Sequence, residues 1–220
     1  MEKAESLDAS RRFTGRNVHD LFGHEIEVRI MSEQLVLPGF ESPPEPTDNL
    51  FLAFVPPIAS VPAIDERIQQ CRRDHGLSGK ALASSCLHVS LHSLGKYDGV
   101  PPGLVDTTRA AVAAVSTPPF EVRFDHALSF QNRRARRPFV LRACGDMAAL
   151  TTFHRSLGEA ITKAGLGRWV TRHFTPHMTL LYDQRIVEEH AIETLRWTVT
   201  DFVLVHSLVG QGTHLSLINI

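Results

Sequence analysis

The stretch "CLHVSLHSLG", residues 86–95, sets His88, Ser90 and His92 among apolar residues. Alternation of this kind marks a β-strand with one buried face, because successive side chains point to opposite sides. His88 and Ser90 then share a face, roughly 6.6 Å apart along the strand, while Val89 and Leu91 pack behind it. A second stretch, "TPHMTLLYD" at residues 175–183, repeats the pattern with His177 and Thr179 on one face and Met178 and Leu180 on the other.

What precedes the two stretches is also alike. "LFLAFVPP" (50–57) reads as a buried strand, and "VPAIDERIQQCRRDHG" (61–76) as a helix with Pro62 near its start and Gly76 at its end. "PFVLRACG" (138–145) reads as a strand, and "DMAALTTFHRSLGEAITKAGLG" (146–167) as a helix with Asp146 as N-cap. The interval from Phe51 to His88 equals that from Phe139 to His177 to within one residue. A helix (101–116) and a strand (120–130) follow the first motif. A short helix (187–195), a long strand (197–209) and a terminal strand (213–220) follow the second. The fold expected is α+β, with two pseudo-symmetric β-α-β-α-β lobes, each presenting one motif strand to a central cleft.

Residues 1–48 break this regularity. They mix charges with short apolar pieces and run into "PGFESPPEPTDN" (38–49). They read as an N-terminal extension or linker with the composition of a disordered segment, upstream of a domain at 49–220. Met31 is an alternative start, and a small docked helix in "VHDLFGHEIEVRIM" (18–31) is the opposing reading.

Of 220 residues, 43% are hydrophobic and 21% charged, and the formal net charge is -1. A soluble globular protein fits these values, and any attraction to phosphate must be local. No apolar run has the length of a membrane span and no signal-peptide core opens the chain, so no membrane association is expected. Cys71, Cys86 and Cys144 are scattered, which suits reduced thiols and a cytoplasmic protein.

An imidazole transfers protons near neutral pH, and a hydroxyl two residues on can hydrogen-bond a phosphoryl oxygen. Two such strands facing each other supply two acid/base groups and two phosphate ligands, which suits in-line displacement at phosphorus without a metal. The pairs His88/His92 and His173/His177 have the i, i+4 spacing of a helical zinc site. On strands, however, such residues stand about 13 Å apart, too far to share an ion. A third match, "HLSL" at 214–217, lacks the preceding strand-helix unit and reads as terminal strand.

"HVSLHSLG", "RHFTPHMTL" and "FVLVHSLV" together resemble the 2H phosphoesterase superfamily, in particular its 2'-5' RNA ligase-like (LigT/ThpR) branch, over residues 49–220. The resemblance implies two antiparallel sheets lining a cleft. It also implies metal-independent and cofactor-free opening of RNA 2',3'-cyclic phosphates to 2'-phosphates, with 2'-5' ligation in some members. It assigns His88 and His177 as the acid/base pair, in unassigned order, and Ser90 and Thr179 as phosphate binders. Ser90 replaces the commoner threonine, Tyr182 stands where many members have arginine, and the tryptophan common near the end of relatives is absent.

Arg172, Tyr182 and His92 are candidate substrate contacts, His92 because alternation carries it to the cleft face with Ser90. The basic "NRRARRP" (132–138) could guide RNA, and Phe130, Trp169 and Trp197 could stack on bases or fill the core. The expected partners are RNA ends or small cyclic nucleotides, and the expected state is a monomer. Two other functions fit the same residues: a phosphodiesterase for another cyclic or 2'-5'-linked nucleotide, and a non-catalytic RNA-end binding protein.

Overall fold

The computed structural model describes residues 16–19, 25–28, 45–131, 135–171 and 173–219. Residues 1–43 form one unit and 44–220 another. In the first, the described residues are two short antiparallel strands, β1 (Arg16–His19) and β2 (Glu25–Val28), where a helix was one of two expectations.

The second unit carries β3 (Asp48–Phe54), α1 (Val61–His75), β4 (Val89–Tyr97), α2 (Leu104–Val112), β5 (Phe120–Ser129) and β6 (Arg137–Ala143). It continues with α3 (Ala148–Ile161), β7 (His177–Asp183), β8 (His190–Val199), β9 (Val203–Leu208) and β10 (Thr213–Asn219). Pro62 sits in the first turn of α1, and Gly76 ends it in the left-handed conformation at φ 60°, a conformation glycine adopts without steric cost. The Asp146 carboxylate accepts from the Ala148 amide at 3.0 Å, so one unpaired donor at the start of α3 is satisfied.

The strands form one antiparallel sheet in the order β10-β9-β3-β4-β7-β6-β5-β8. It divides into two four-stranded halves joined at its middle by a single pair, Val89 opposite Met178. The α+β fold and the antiparallel lobes are as expected, but the chain exchanges strands between them. β5, expected to close the first lobe, pairs with β6 and β8 in the second. The C-terminal β9 and β10 return to the first lobe beside β3.

Two elements differ from the expectation. Residues 190–199 are strand, not helix. Across β5, Phe124 and His126 face Leu195 and Ala191, so two extra residues bulge on β8. The bulge stretches the spacing of Ile192 and Leu195 to three, which imitates a helical period. The long strand expected at 197–209 is broken at Thr200–Phe202, where the chain leaves the outer edge of one lobe for the other.

The helices cover one side of the sheet. Leu50, Leu52 and Phe54 of β3 pack in one cluster with Ile64, Ile68 and Cys71 of α1 and Phe153, Leu157 and Ile161 of α3. Each fully buried side chain of this size contributes roughly 1.5–3 kcal/mol. Phe51 and Ala53, on the opposite face of β3, join Val203 and Val205 in a separate cluster. That second face carries the motif histidines.

The connection from α1 to β4 ties the lobes together. Leu82 donates to the Leu180 carbonyl at 2.8 Å and Ala81 bridges Leu181, so the segment runs alongside β7. The Asp183 carboxylate accepts from the amides of Ser78 (2.7 Å), Gly79 (2.6 Å) and Arg185 (2.8 Å). Burial works against its charge, and these amide donors outweigh it and hold its pKa below the usual carboxylate value. A Cβ at Gly79 would lie 2.3 Å from the Tyr182 carbonyl oxygen, so only glycine fits. Gly79→Ala is therefore expected to destabilise the protein by about 1–3 kcal/mol in chemical denaturation; a change under a few tenths would contradict this packing.

Candidate active site

The register at Val89 and Met178 builds the site. Each residue directly follows its motif histidine, so the bridge joins equivalent positions of the two lobes. In an antiparallel pair this places His88 across from Thr179 and His177 across from Ser90. The two histidines then lie on a diagonal, where Cβ separations are about 7–8 Å in a regular sheet. All four side chains line one cleft of about 920 Å3.

Each imidazole is oriented in the same way. His88 Nδ1 donates to the Cys86 carbonyl at 2.8 Å, and His177 Nδ1 donates to the Thr175 carbonyl at 2.7 Å. A carbonyl oxygen only accepts, so in the neutral rings the proton sits on Nδ1 and Nε2 is a free base. A phenylalanine packs on each ring: Phe51 on His88 with centroids 4.8 Å apart, and Phe130 edge-on to His177 at 4.7 Å. Phe130 thus supports a catalytic candidate and does not stand free for a base.

The same bulge follows each motif. Ala53 and Leu52 face Ser90 and His92, which leaves Leu91 as the extra residue of β4. Val140 and Phe139 face Thr179 and Leu181, which leaves Leu180 as the extra residue of β7. Beyond a bulge the faces exchange. On β7 this turns Tyr182 into the cleft, where it is 42% exposed. On β4 it turns Ser93 into the cleft, and a second bulge at Leu94 does the same for Lys96.

The bulge also corrects the expectation for His92. Strict alternation put it beside Ser90, but it points to the helical side and is 1% exposed. Its Nε2 donates to the His154 carbonyl at 2.9 Å, and the two rings stack at 4.0 Å. It is not a substrate contact in the cleft. Arg172 lies outside the described residues, as do Arg133 and Arg134 of the basic stretch. Trp197 stacks on Phe124 at 4.9 Å in the core and Trp169 packs edge-on against Tyr97, so both tryptophans are structural.

Two cationic cleft residues escaped the sequence reading, Lys80 from the α1–β4 connection and Lys96 from β4; Arg136, in the turn before β6, is the member of the basic stretch 132–138 that lines the cleft. Arg136 also donates to the Tyr182 carbonyl at 2.9 Å. Among the described residues no carboxylate lines this cleft, so a chain of net charge -1 carries a locally cationic site. Such a cationic set suits a phosphate, and it lacks the carboxylates by which calcium or magnesium is usually held.

His214 is the third imidazole. It belongs to β10, its ring centre is 5.1 Å from that of His88 and 5.8 Å from that of Phe51, and it lines the cleft. The only signal for it was the "HLSL" match. Strand exchange between the lobes, invisible in local pattern, carries it to His88. Cys86 secures this contact, because its thiol donates to the Gly212 carbonyl at 3.3 Å while its own carbonyl holds His88.

Burial pushes the His88 pKa down to about 4, against the pull of the Cys86 carbonyl, and the nearby His214 and His177 rings lower it further. His88 is therefore neutral at pH 7. In His214→Ala both the burial and one neighbouring imidazole are lost, so the His88 pKa read by NMR titration should move up toward 6.5; an unchanged value would refute the contact. Burial likewise holds His154 at about 4. Both folded pKa values lie below the unfolded one, so the stabilisation is complete above about pH 6.5 and is lost as pH falls toward 4. Stability should drop over that window by at most on the order of 3 kcal/mol per histidine; a flat profile would contradict the burial.

A family model of the 2'-5' RNA ligase superfamily matches residues 60–211. No curated protein sequence matches the chain significantly. Among solved structures, the protein TT0787 of Thermus thermophilus is similar with a TM-score of 0.62 and 22% identity, over 78% of this chain and 96% of that one. E. coli LigT in its apo form is similar with a TM-score of 0.59 and 24% identity, over 80% and 98%. The NADP+ complex of LigT gives 0.60 and 25% over the same shares, and LigT has also been crystallised with ATP, 3'-AMP and phosphate. The likeness in these structures is one of fold.

Proposed function

The chain belongs to the 2'-5' RNA ligase superfamily, a group of phosphoesterase- and ligase-type enzymes, and from that premise we propose that it opens RNA 2',3'-cyclic phosphates to 2'-phosphates by two-histidine acid/base catalysis. The observation that carries this reading is the diagonal quartet of His88, Ser90, His177 and Thr179, with both Nδ1 atoms tied back and both Nε2 atoms free for proton transfer. The nucleotide and phosphate complexes of LigT support a nucleotide-type ligand.

In this reaction one imidazole takes a proton from water. The water oxygen bonds to phosphorus, the P–O3' bond breaks, and the second imidazole protonates the leaving O3'. Ser90 and Thr179 hold the non-bridging oxygens, and Lys80, Lys96 and Arg136 offset their charge. His88 fits the base for ring opening, because burial keeps it unprotonated at neutral pH. His177, half-buried at the cleft wall, then fits the acid. In 2'-5' ligation a 5'-hydroxyl takes the place of the water, the same P–O3' bond breaks and the roles stay the same; they exchange when O3' attacks to cleave a 2'-5' link. Tyr182 takes the place of a basic contact and offers a hydroxyl or a ring face to the substrate.

We extend the proposal to the rest of the chain. The extension expected at 1–48 ends at residue 43, because Thr47 and Asp48 already pair into the sheet with Tyr97 and β9, and the protein acts as a cytoplasmic monomer on RNA ends. Among the described residues no helix is long and apolar enough to cross a membrane.

The test is hydrolysis of nucleoside 2',3'-cyclic phosphates with EDTA present. His88→Ala and His177→Ala should each lower kcat by about 10²–10⁴-fold. Ser90→Ala and Thr179→Ala should each cost about 10- to 150-fold, the value of a hydrogen bond to a charged group. With His88 as base, kcat/KM should rise with pH through about 4, well below the usual histidine range. Loss of activity on chelation, or full activity in both histidine variants, would overturn the assignment. Turnover of a 2'-5'-linked or other cyclic nucleotide alone would move the substrate but keep the site.

A further inference from the structure

A second cavity, of about 660 Å3, lies on the helical side of β4, with His92 in its wall. α3 contributes His154, Arg155 and Glu159, the turn after it contributes Lys163, and the segment before β7 contributes Phe174. The catalytic reading uses none of these residues.

The cavity's inner wall is a column of rings. Phe174 stacks on His154 with centroids 4.0 Å apart and an interplanar angle of 9°, and His154 stacks on His92 at 4.0 Å. Both imidazoles donate from Nε2 to carbonyls, His92 to His154 and His154 to Leu91 at 3.0 Å. Nδ1 of each neutral ring is therefore a bare acceptor. That of His92 is fully buried and has no partner among the described residues, a costly arrangement for a polar atom. Gly158 keeps the ring close to the helix, since a Cβ there would come within 3.2 Å of His92.

The rim has different chemistry. Arg155 and Glu159 stand at i and i+4 on α3, Lys163 follows in the wider helical turn at Thr162–Leu166, and among the described residues neither cation forms an ion pair. An apolar, ring-lined pocket with a few convergent polar groups is the usual form of a small-molecule site. We propose that this cavity binds a mononucleotide: an amino group of the base meets the acceptor Nδ1 of His154, whose ring stacks on His92, a ribose hydroxyl meets Glu159, and the phosphate meets Arg155 and Lys163. The site is separate from the cleft but touches its supports. His154 holds the carbonyl of Leu91, next to Ser90, and Phe174 precedes Thr175, which holds His177. The proposal does not depend on which reaction the cleft performs.

The test is NMR titration of the His92 and His154 ring resonances with AMP, and with inorganic phosphate as a separate arm. AMP at millimolar concentration should shift both rings saturably, and phosphate alone should not. The surface variant Arg155→Glu/Lys163→Glu should bind AMP at this site roughly tenfold or more weakly, with its thermal midpoint unchanged and the AMP-induced shifts of His177 in the cleft intact. Rings that stay unmoved by AMP, that respond equally to phosphate, or that respond equally in the double variant would overturn the proposal.

Discussion

One antiparallel pair, Val89 opposite Met178, holds the halves of the sheet in register, and the site depends on it. Because the paired residues are equivalent in the two lobes, each histidine meets the other lobe's hydroxyl residue. A slip of one residue would turn one imidazole toward the helices. The segment 77–83 guards against such a slip, since Ala81 and Leu82 pair with β7 while Asp183 gathers the amides of Ser78 and Gly79. The same residue that would clash at Gly79, Tyr182, also faces the cleft, so lobe contact and substrate surface share one strand end.

The two lobes are alike in geometry and unlike in electrostatics. Both histidines have a carbonyl on Nδ1 and a phenylalanine against the ring. Only His88 also has His214 beside it, and burial keeps it neutral. A symmetric pair would not specify which group removes a proton and which supplies one. The C-terminal β10 breaks that symmetry, and it reaches His88 only because the chain returns to the first lobe at its end.

Much of this was legible in the sequence. Alternation fixed the strand character of both motifs, and their distances from Phe51 and Phe139, alike to within one residue, revealed the duplicated lobes. The ends of α1 were written by Pro62 and Gly76. What misled was the β-bulge, which has no residue signature of its own: an extra leucine among leucines looks like unbroken strand. It sent His92 to the wrong face, left Ser93 and Lys96 unnoticed, and on β8 produced a helical spacing in a strand. Strand exchange was hidden for a different reason. Long-range pairing leaves no local trace, so His214 looked like an ordinary terminal residue. Lys80 lies in a connection whose path follows from the tertiary fold.

The central claim is that both imidazoles act on one phosphorus through Nε2. A structure of the complete chain with a nucleoside–vanadate complex, whose five-coordinate vanadium imitates the displacement at phosphorus, tests it most directly. The account requires His88 Nε2 and His177 Nε2 to reach opposite apical oxygens within hydrogen-bonding distance, with Ser90 and Thr179 on the equatorial ones. A complex in which only one histidine reaches the vanadate, or in which both approach from the same side, would contradict it.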